Sequence, residues 1–144
     1  MFAGIGGFRE GLCRAGGFEC VGHCERDEHA ERSYRALFDT RGEWFCEDIR
    51  KADPKEMPDF DLLCGGFPCQ SFSISGRRGG FKDPRGTLFF EIARLAAEKR
   101  PAYLLLENVP GLLNHDGGRT FAAILHTLDG LGYGLERQVL NSKD

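Results

Sequence analysis

Cys69 and Glu107 are the residues of this 144-residue chain whose types and settings suit covalent chemistry. Cys69 follows the run Asp59-Phe60-Asp61-Leu62-Leu63-Cys64-Gly65-Gly66-Phe67-Pro68, which reads as a buried strand handing a thiol to a loop. Glu107 closes a second apolar run, Tyr103-Leu104-Leu105-Leu106. In an open parallel sheet, ligands bind beyond the carboxyl ends of the strands, and both residues are expected there. A thiol and a carboxylate on neighbouring strand ends suggest nucleophilic attack coupled to proton transfer. An ordinary thiol, with a pKa of about 8.5, is only a few per cent thiolate at neutral pH, so Cys69 needs activation. Taken singly, Cys69 also fits a buried inert thiol and Glu107 a salt-bridged strand end.

The elements that must position this pair alternate along the chain. Strands are predicted over Phe18–Glu25, Trp44–Asp48, Phe60–Phe67, Tyr103–Glu107 and Leu135–Asn141. Helical spacing of apolar residues covers Gly6–Ala15, Glu28–Phe38, Thr87–Lys99 and Thr120–Leu131. Leu88, Ile92, Leu95 and Ala96 form one stripe, and Pro101 follows the end of that helix. The alternation predicts an α/β fold, a doubly wound and mostly parallel sheet covered on both faces. Two stretches read as strand-free, Lys51–Pro58 and the Gly-rich Ser71–Arg85, the latter long enough to suggest a functional lid.

Composition is that of one globular domain, 41% hydrophobic and 28% charged, with 20 glycines. No apolar run is long enough to span a bilayer and no secretory leader is visible, so a soluble, cytoplasmic chain is expected. That setting argues against disulfides among the six cysteines. Cys20, His23 and Cys24 come nearest to a metal cluster. On a strand, residues 20 and 24 would sit roughly 13 Å apart, too far for one ion. No metal is expected, and the cysteines other than Cys69 read as small reduced hydrophobes. The net charge of −3 does not advertise a nucleic-acid binder, although Gly76-Arg77-Arg78-Gly79-Gly80-Phe81-Lys82 is a local basic stretch.

Ala3-Gly4-Ile5-Gly6-Gly7-Phe8 is a glycine-rich turn opening a helix. The next strand ends in Glu25, at the distance where a carboxylate can accept from both hydroxyls of an adenosine ribose. The third ends in Asp48-Ile49, placed to hold an adenine edge. A dinucleotide oxidoreductase would want Gly-x-Gly-x-x-Gly facing a pyrophosphate. S-adenosylmethionine has no phosphate, and the order Gly-x-Gly-Gly suits it better.

Three segments together resemble the DNA cytosine-5 methyltransferases. Phe2-Ala3-Gly4-Ile5-Gly6-Gly7-Phe8 looks like the family's cofactor motif. Gly66-Phe67-Pro68-Cys69-Gln70-Ser71-Phe72-Ser73 looks like its catalytic-cysteine motif, and Glu107-Asn108-Val109 like its catalytic-glutamate motif. Asp83-x-Arg85-Gly86-Thr87-Leu88-Phe89 matches a further segment. The resemblance implies that Cys69 adds to C6 of a flipped cytosine in double-stranded DNA, while Glu107 contacts N3 and the exocyclic amine. S-adenosyl-L-methionine is then the implied methyl donor. Phe2 would lie against the adenine, Gly4 and Gly6 at the methionine portion, Glu25 on the ribose, and Asp48 with Ile49 at the adenine. Pro68 and Leu88 would complete the wall. Ser73, Ser75, Arg77, Arg78 and Lys82 are implied phosphate contacts, and Arg85 an anchor of the active site.

Both ends look cut. No strand precedes Phe2, and the family's Gln-x-Arg-x-Arg motif and target-recognition domain do not follow. The expectation is a single partial catalytic domain over residues 1–144. A complementing chain carrying the C-terminal motifs is one partner to consider. An inactive or split-enzyme binding fragment and an RNA cytosine-5 methyltransferase are the alternative readings, and a nicotinamide oxidoreductase a third.

Overall fold

The computed structural model of the chain describes residues 1–68, 88–141 and 143. Helices alternate with short parallel strands in the order α1 (Gly7–Ala15), β1 (Gly22–Cys24), α2 (Glu28–Leu37), β2 (Trp44–Cys46), β3 (Leu62–Gly66), α3 (Leu88–Lys99), β4 (Tyr103–Glu107) and α4 (Arg119–Gly130). Three single 3-10 turns, at Ile49–Lys51, Pro110–Leu113 and His115–Gly118, lie in the connections. The α/β alternation is as predicted, with β1, β2 and β3 shorter than the apolar runs that contain them.

Two differences from the expected sheet stand out. Among the described residues the strands form two separate parallel pairs, β1 with β2 and β3 with β4, rather than one sheet. The predicted fifth strand, Leu135–Asn141, is not formed: these residues have no regular secondary structure and pair with no strand. Its apolar side chains Leu135, Val139 and Leu140 stay exposed, and a lone strand without a ladder has neither partner nor buried face to hold it.

The first residues run between the two pairs. The Met1 ammonium donates to the Cys64 carbonyl at 2.6 Å, and the Ala3 amide donates to Cys24 O at 3.0 Å. The chain then turns at Gly4 (φ +55°) and Gly6 (φ +99°) into α1. Gly6 is required on two counts. Its φ is one that side chains avoid, and a Cβ there would sit 2.2 Å from the Phe38 ring. Gly6→Ala is therefore expected to cost about 2–4 kcal/mol, from backbone strain plus overpacking, read as a shift in urea midpoint. An unchanged midpoint would mean that the turn does not pack on Phe38.

Helix α3 supplies the largest share of the core. Phe89, Ile92, Leu95 and Ala96 are fully buried, while Leu88 at its start is half-buried. Ile124 and Leu128 of α4 and Leu63 of β3 join the same cluster. The segment after β2 is pinned to α3 by polar bonds. Arg94 donates to the carbonyls of Ile49 (3.0 Å) and Ala52 (3.1 Å), and Lys99 to that of Met57 (3.0 Å).

A second, polar cluster locks α1 to the start of β2. Arg9 grips Glu43 through both terminal nitrogens, at 2.7 and 2.9 Å, and also bonds the Tyr34 hydroxyl and Asp39 O. His23 is stacked on Tyr34 and bonds Glu31 at 2.9 Å. Trp44, the single tryptophan, packs so closely on Gly22 that a Cβ there would lie 2.8 Å from the Trp44 carbonyl oxygen.

Candidate active site

The parallel registers decide which residues share an edge. Cys24 lies opposite Cys46 and Gly66 opposite Glu107, so all four chains leave the sheets at their carboxyl ends. Among the described residues, Glu25, Asp48 and Glu107 lie at or just beyond those ends.

Glu25 follows β1 directly. One of its oxygens accepts from the Gly4 amide at 2.7 Å and the other from the Asp27 amide at 2.8 Å. This carboxylate therefore ties the glycine turn to the start of α2. Asp27 in turn caps α2, accepting from the amides of His29 and Ala30 at 2.9 Å each. A carboxylate has about four acceptor positions, so two remain open on Glu25. Gly4 meets no atom within 4 Å of where a Cβ would project, so the turn is open to a ligand on that side. Phe2 is held at φ +54°, an outlier for a bulky residue, and packs against the core. Strain of this kind concentrates where ligands bind.

Asp48 is largely buried and accepts from the Arg50 amide at 3.1 Å and from its Nε at 2.9 Å, with Arg50 Nη2 closing the pair. The Arg50 guanidinium holds this carboxyl at about 2, well below the usual carboxylate range. Folding thus favours the ionised form. The stabilisation is complete above the unfolded value of roughly 4 and is lost as pH falls through about 2. Arg50→Met is expected to raise the Asp48 titration toward the ordinary value, followed by carboxyl-carbon NMR. A titration that stays put would assign the depression to another group. Ile49 is only 2% exposed and belongs to the core, and its carbonyl accepts from Arg94.

At the other pair, the Glu107 carboxylate lies over Gly66. A Cβ at Gly66 would stand 3.0 Å from Glu107 Oε2, so glycine makes the seat for the acid. Asn108 donates to the Phe67 carbonyl at 2.6 Å and its own oxygen accepts from the Val109 amide at 2.9 Å. It thereby splices the loop after β4 to the loop after β3. Pro68, exposed at the end of the latter, is the last described residue before the thiol. Cys69, Ser73, Ser75, Arg77, Arg78, Lys82 and Arg85 lie outside the described residues.

The structure brings together Gly4 with Glu25 and Gly66 with Glu107, and puts Asp48 on the same edge as Glu25. Asn108 and Asp27 are positioning residues that were given no role from sequence. Asp27 carried a signal, being an N-cap residue directly before a helical pattern.

A family model for C-5 cytosine-specific DNA methylase matches residues 1–144. The chain belongs to that family. It is 45% identical over its whole length to the type II methyltransferase M.HhaI of Haemophilus parahaemolyticus, of which it covers 43%. Identity is 49% to M1.ScrFI of Lactococcus lactis subsp. cremoris, of which it covers 36%, and 47% over 148 residues to M.HpaII of Haemophilus parainfluenzae, of which it covers 40%. The chain spans less than half the length of these curated relatives.

The described cysteines are free. Burial pushes the Cys24 thiol up to about 12 and raises that of Cys64. Cys13 departs from the expected pattern, since it is exposed on α1 rather than packed. No helix of the described residues is long and apolar enough to cross a membrane.

Proposed function

We propose that this chain is the cofactor-binding and catalytic portion of a DNA cytosine-5 methyltransferase, acting on cytosine in double-stranded DNA. The observation that carries the reading is the seating of Glu107 over Gly66, with Asn108 bonded to the Phe67 carbonyl. This fixes an acid beside the backbone that leads within two residues to Cys69. The two parallel pairs are read as parts of one doubly wound sheet, and residues 1–144 as one partial catalytic domain, spanning less than half the length of the relatives.

The donor set fits S-adenosyl-L-methionine, which when bound supplies an electrophilic methyl group. Glu25 would accept from the ribose hydroxyls on its free lone pairs, and Gly4 would let the turn approach the methionine portion. Gly6 serves that turn by packing on Phe38. Phe2, Pro68 and Leu88 would wall the adenosine, with Asp48 and Ile49 at its adenine edge.

Chemistry then belongs to two residues. The target base must leave the stack, because C6 is unreachable inside a duplex. The Cys69 thiolate bonds to C6, breaking the C5–C6 double bond and placing an electron pair on C5. Glu107, donating a carboxyl proton to N3 and accepting from the exocyclic amine, offsets the negative charge as it builds. C5 takes the methyl group, a base removes the C5 proton, and the returning electron pair restores the double bond and expels the thiolate. Ser73, Ser75, Arg77, Arg78 and Lys82 would meet phosphates, with Arg85 anchoring the site. The setting is a soluble, cytoplasmic one, and a chain bearing the C-terminal motifs is the candidate complementing partner.

The test is methyl transfer from labelled cofactor to mixed-sequence DNA, comparing this chain with one extended at both ends. Transfer by the extended chain, lost on Cys69→Ser, is the expected result. Robust transfer by the 144 residues alone would overturn the partial-domain reading. An extended chain that methylates RNA but not DNA would overturn the substrate.

A further inference from the structure

The last residues of β1 and β2 are both cysteines, and the parallel register sets Cys24 opposite Cys46. Paired residues of a parallel ladder direct their side chains to the same face. One step earlier, the rings of His23 and Phe45 meet on one side of the sheet, so Cys24 and Cys46 share the other. Cys24 is buried in the main core there, and the half-buried Cys46 packs against that core. Neighbouring strands lie roughly 4.8 Å apart, inside the Cα span of about 4.4–6.8 Å that a disulfide bridges. Both strands stop at this pair, so the backbone just beyond it has no ladder to resist a small shift.

Both thiols are free, and their surroundings give them different parts. Burial, and after it the nearness of Cys46, push the Cys24 thiol up to about 12, so Cys24 keeps its proton. Cys46 is the more accessible of the two and donates to the Asp48 carbonyl at 3.1 Å. The pair stands at the base of the proposed cofactor edge. Glu25 follows Cys24 directly, and Asp48 lies two residues beyond Cys46.

We propose that Cys24 and Cys46 form an oxidisable dithiol whose closure to a disulfide disables the cofactor edge. The Cys46 sulfur first attacks hydrogen peroxide; the O–O bond breaks, a sulfenic acid forms and water leaves. The Cys24 sulfur then bonds to that of Cys46 and displaces its hydroxyl group, which departs with the Cys24 proton as a second water. Two thiols are oxidised and one peroxide is reduced. The second step is intramolecular, which offsets the low ionisation of Cys24. A disulfide holds its Cβ atoms about 3.8 Å apart, so closure draws the two strand ends together by roughly 1 Å. It also takes the Cys46 donor from the Asp48 carbonyl, and Glu25 and Asp48 are displaced with their strands. The disulfide stands on the β1–β2 ladder alone, whereas its effect on ligand rests on the methyltransferase reading.

The test treats the full chain with hydrogen peroxide, alkylates the remaining thiols and digests it without reductant for mass spectrometry. The expected result is a peptide pair joined through Cys24 and Cys46, lighter by two hydrogens than its free halves and parted by dithiothreitol. On closure the carboxyl-carbon NMR signals of Glu25 and Asp48 should move. S-adenosylhomocysteine should bind about ten-fold more weakly, a misplacement of roughly 1 Å being enough. Dithiothreitol should restore both, which separates closure from methionine or sulfinic oxidation. Cys46→Ala should give no joined pair and keep its affinity under peroxide. A ligand that fails to bind even the reduced chain would count against the methyltransferase reading, and the mass and NMR readouts would still decide the switch. Peroxide that joins Cys46 to any other cysteine, or to none, would overturn the proposal. So would a joined pair that moves neither carboxyl signal, or an equal loss of affinity in Cys46→Ala.

Discussion

Cys69→Ser, in a chain extended at both ends, is expected to abolish the covalent adduct with DNA carrying 5-fluorocytosine and to lower methyl transfer at least about 10⁴-fold. The reason lies in the ionisation of the nucleophile. A thiol is a few per cent ionised at neutral pH before any activation, whereas an alkyl hydroxyl holds its proton far more tightly and is the weaker nucleophile. Fluorine makes the adduct visible, because after methyl transfer C5 carries fluorine where a proton would leave, and the thiolate cannot be expelled. Cys13→Ser is the control, since that exposed thiol sits on α1 away from the proposed chemistry. An adduct that survives Cys69→Ser and disappears with Cys13→Ser would move the nucleophile and end the assignment.

The second large effect concerns Glu25. Each of its oxygens accepts from a backbone amide, Gly4 on one side and Asp27 on the other. Glu25→Ala removes both bonds as well as the acceptors proposed for the ribose. The loss of two charge-assisted bonds to ligand is expected to weaken S-adenosylhomocysteine binding by roughly 10²–10³-fold, measured calorimetrically. Glu25→Gln should be nearly as damaging, which is unusual for so small a change. Whichever way the amide turns, its NH₂ faces a backbone N–H that needs an acceptor. Glutamine binding within a few-fold of the parent would show that the two backbone bonds do not govern the site.

The candidate site was more legible in the sequence than the sheet that carries it. Glu107 could be placed at a strand end because an apolar run of strand length closes on it, and Tyr103–Glu107 emerges with the predicted bounds, while Cys69 lies outside the described residues. Glu25 and Asp48 followed from strand ends in the same way. What one-dimensional pattern could not carry was pairing. Leu135–Asn141 has the alternation of a strand, but a strand exists only where another offers its edge, and none of the described residues does. Phe18–Glu25 shrank to Gly22–Cys24 for the same reason, its first residues having no ladder to β2. Roles that depend on a distant carbonyl were equally hidden. Asn108 is polar next to a catalytic candidate, and only the fold reveals that it reaches Phe67, 41 positions away. Gly6 was read for what it could offer a ligand, while its tightest constraint is the Phe38 ring.

The close stacking of Trp44 on Gly22 has a practical side. With one indole in the chain, emission comes from a single place, and that place is the contact of Trp44 with Gly22 where β2 pairs with β1. The protein thereby carries its own optical gauge. Any change of polarity around that contact is registered by an unlabelled fluorophore, at concentrations where spectroscopies that need millimolar samples are blind.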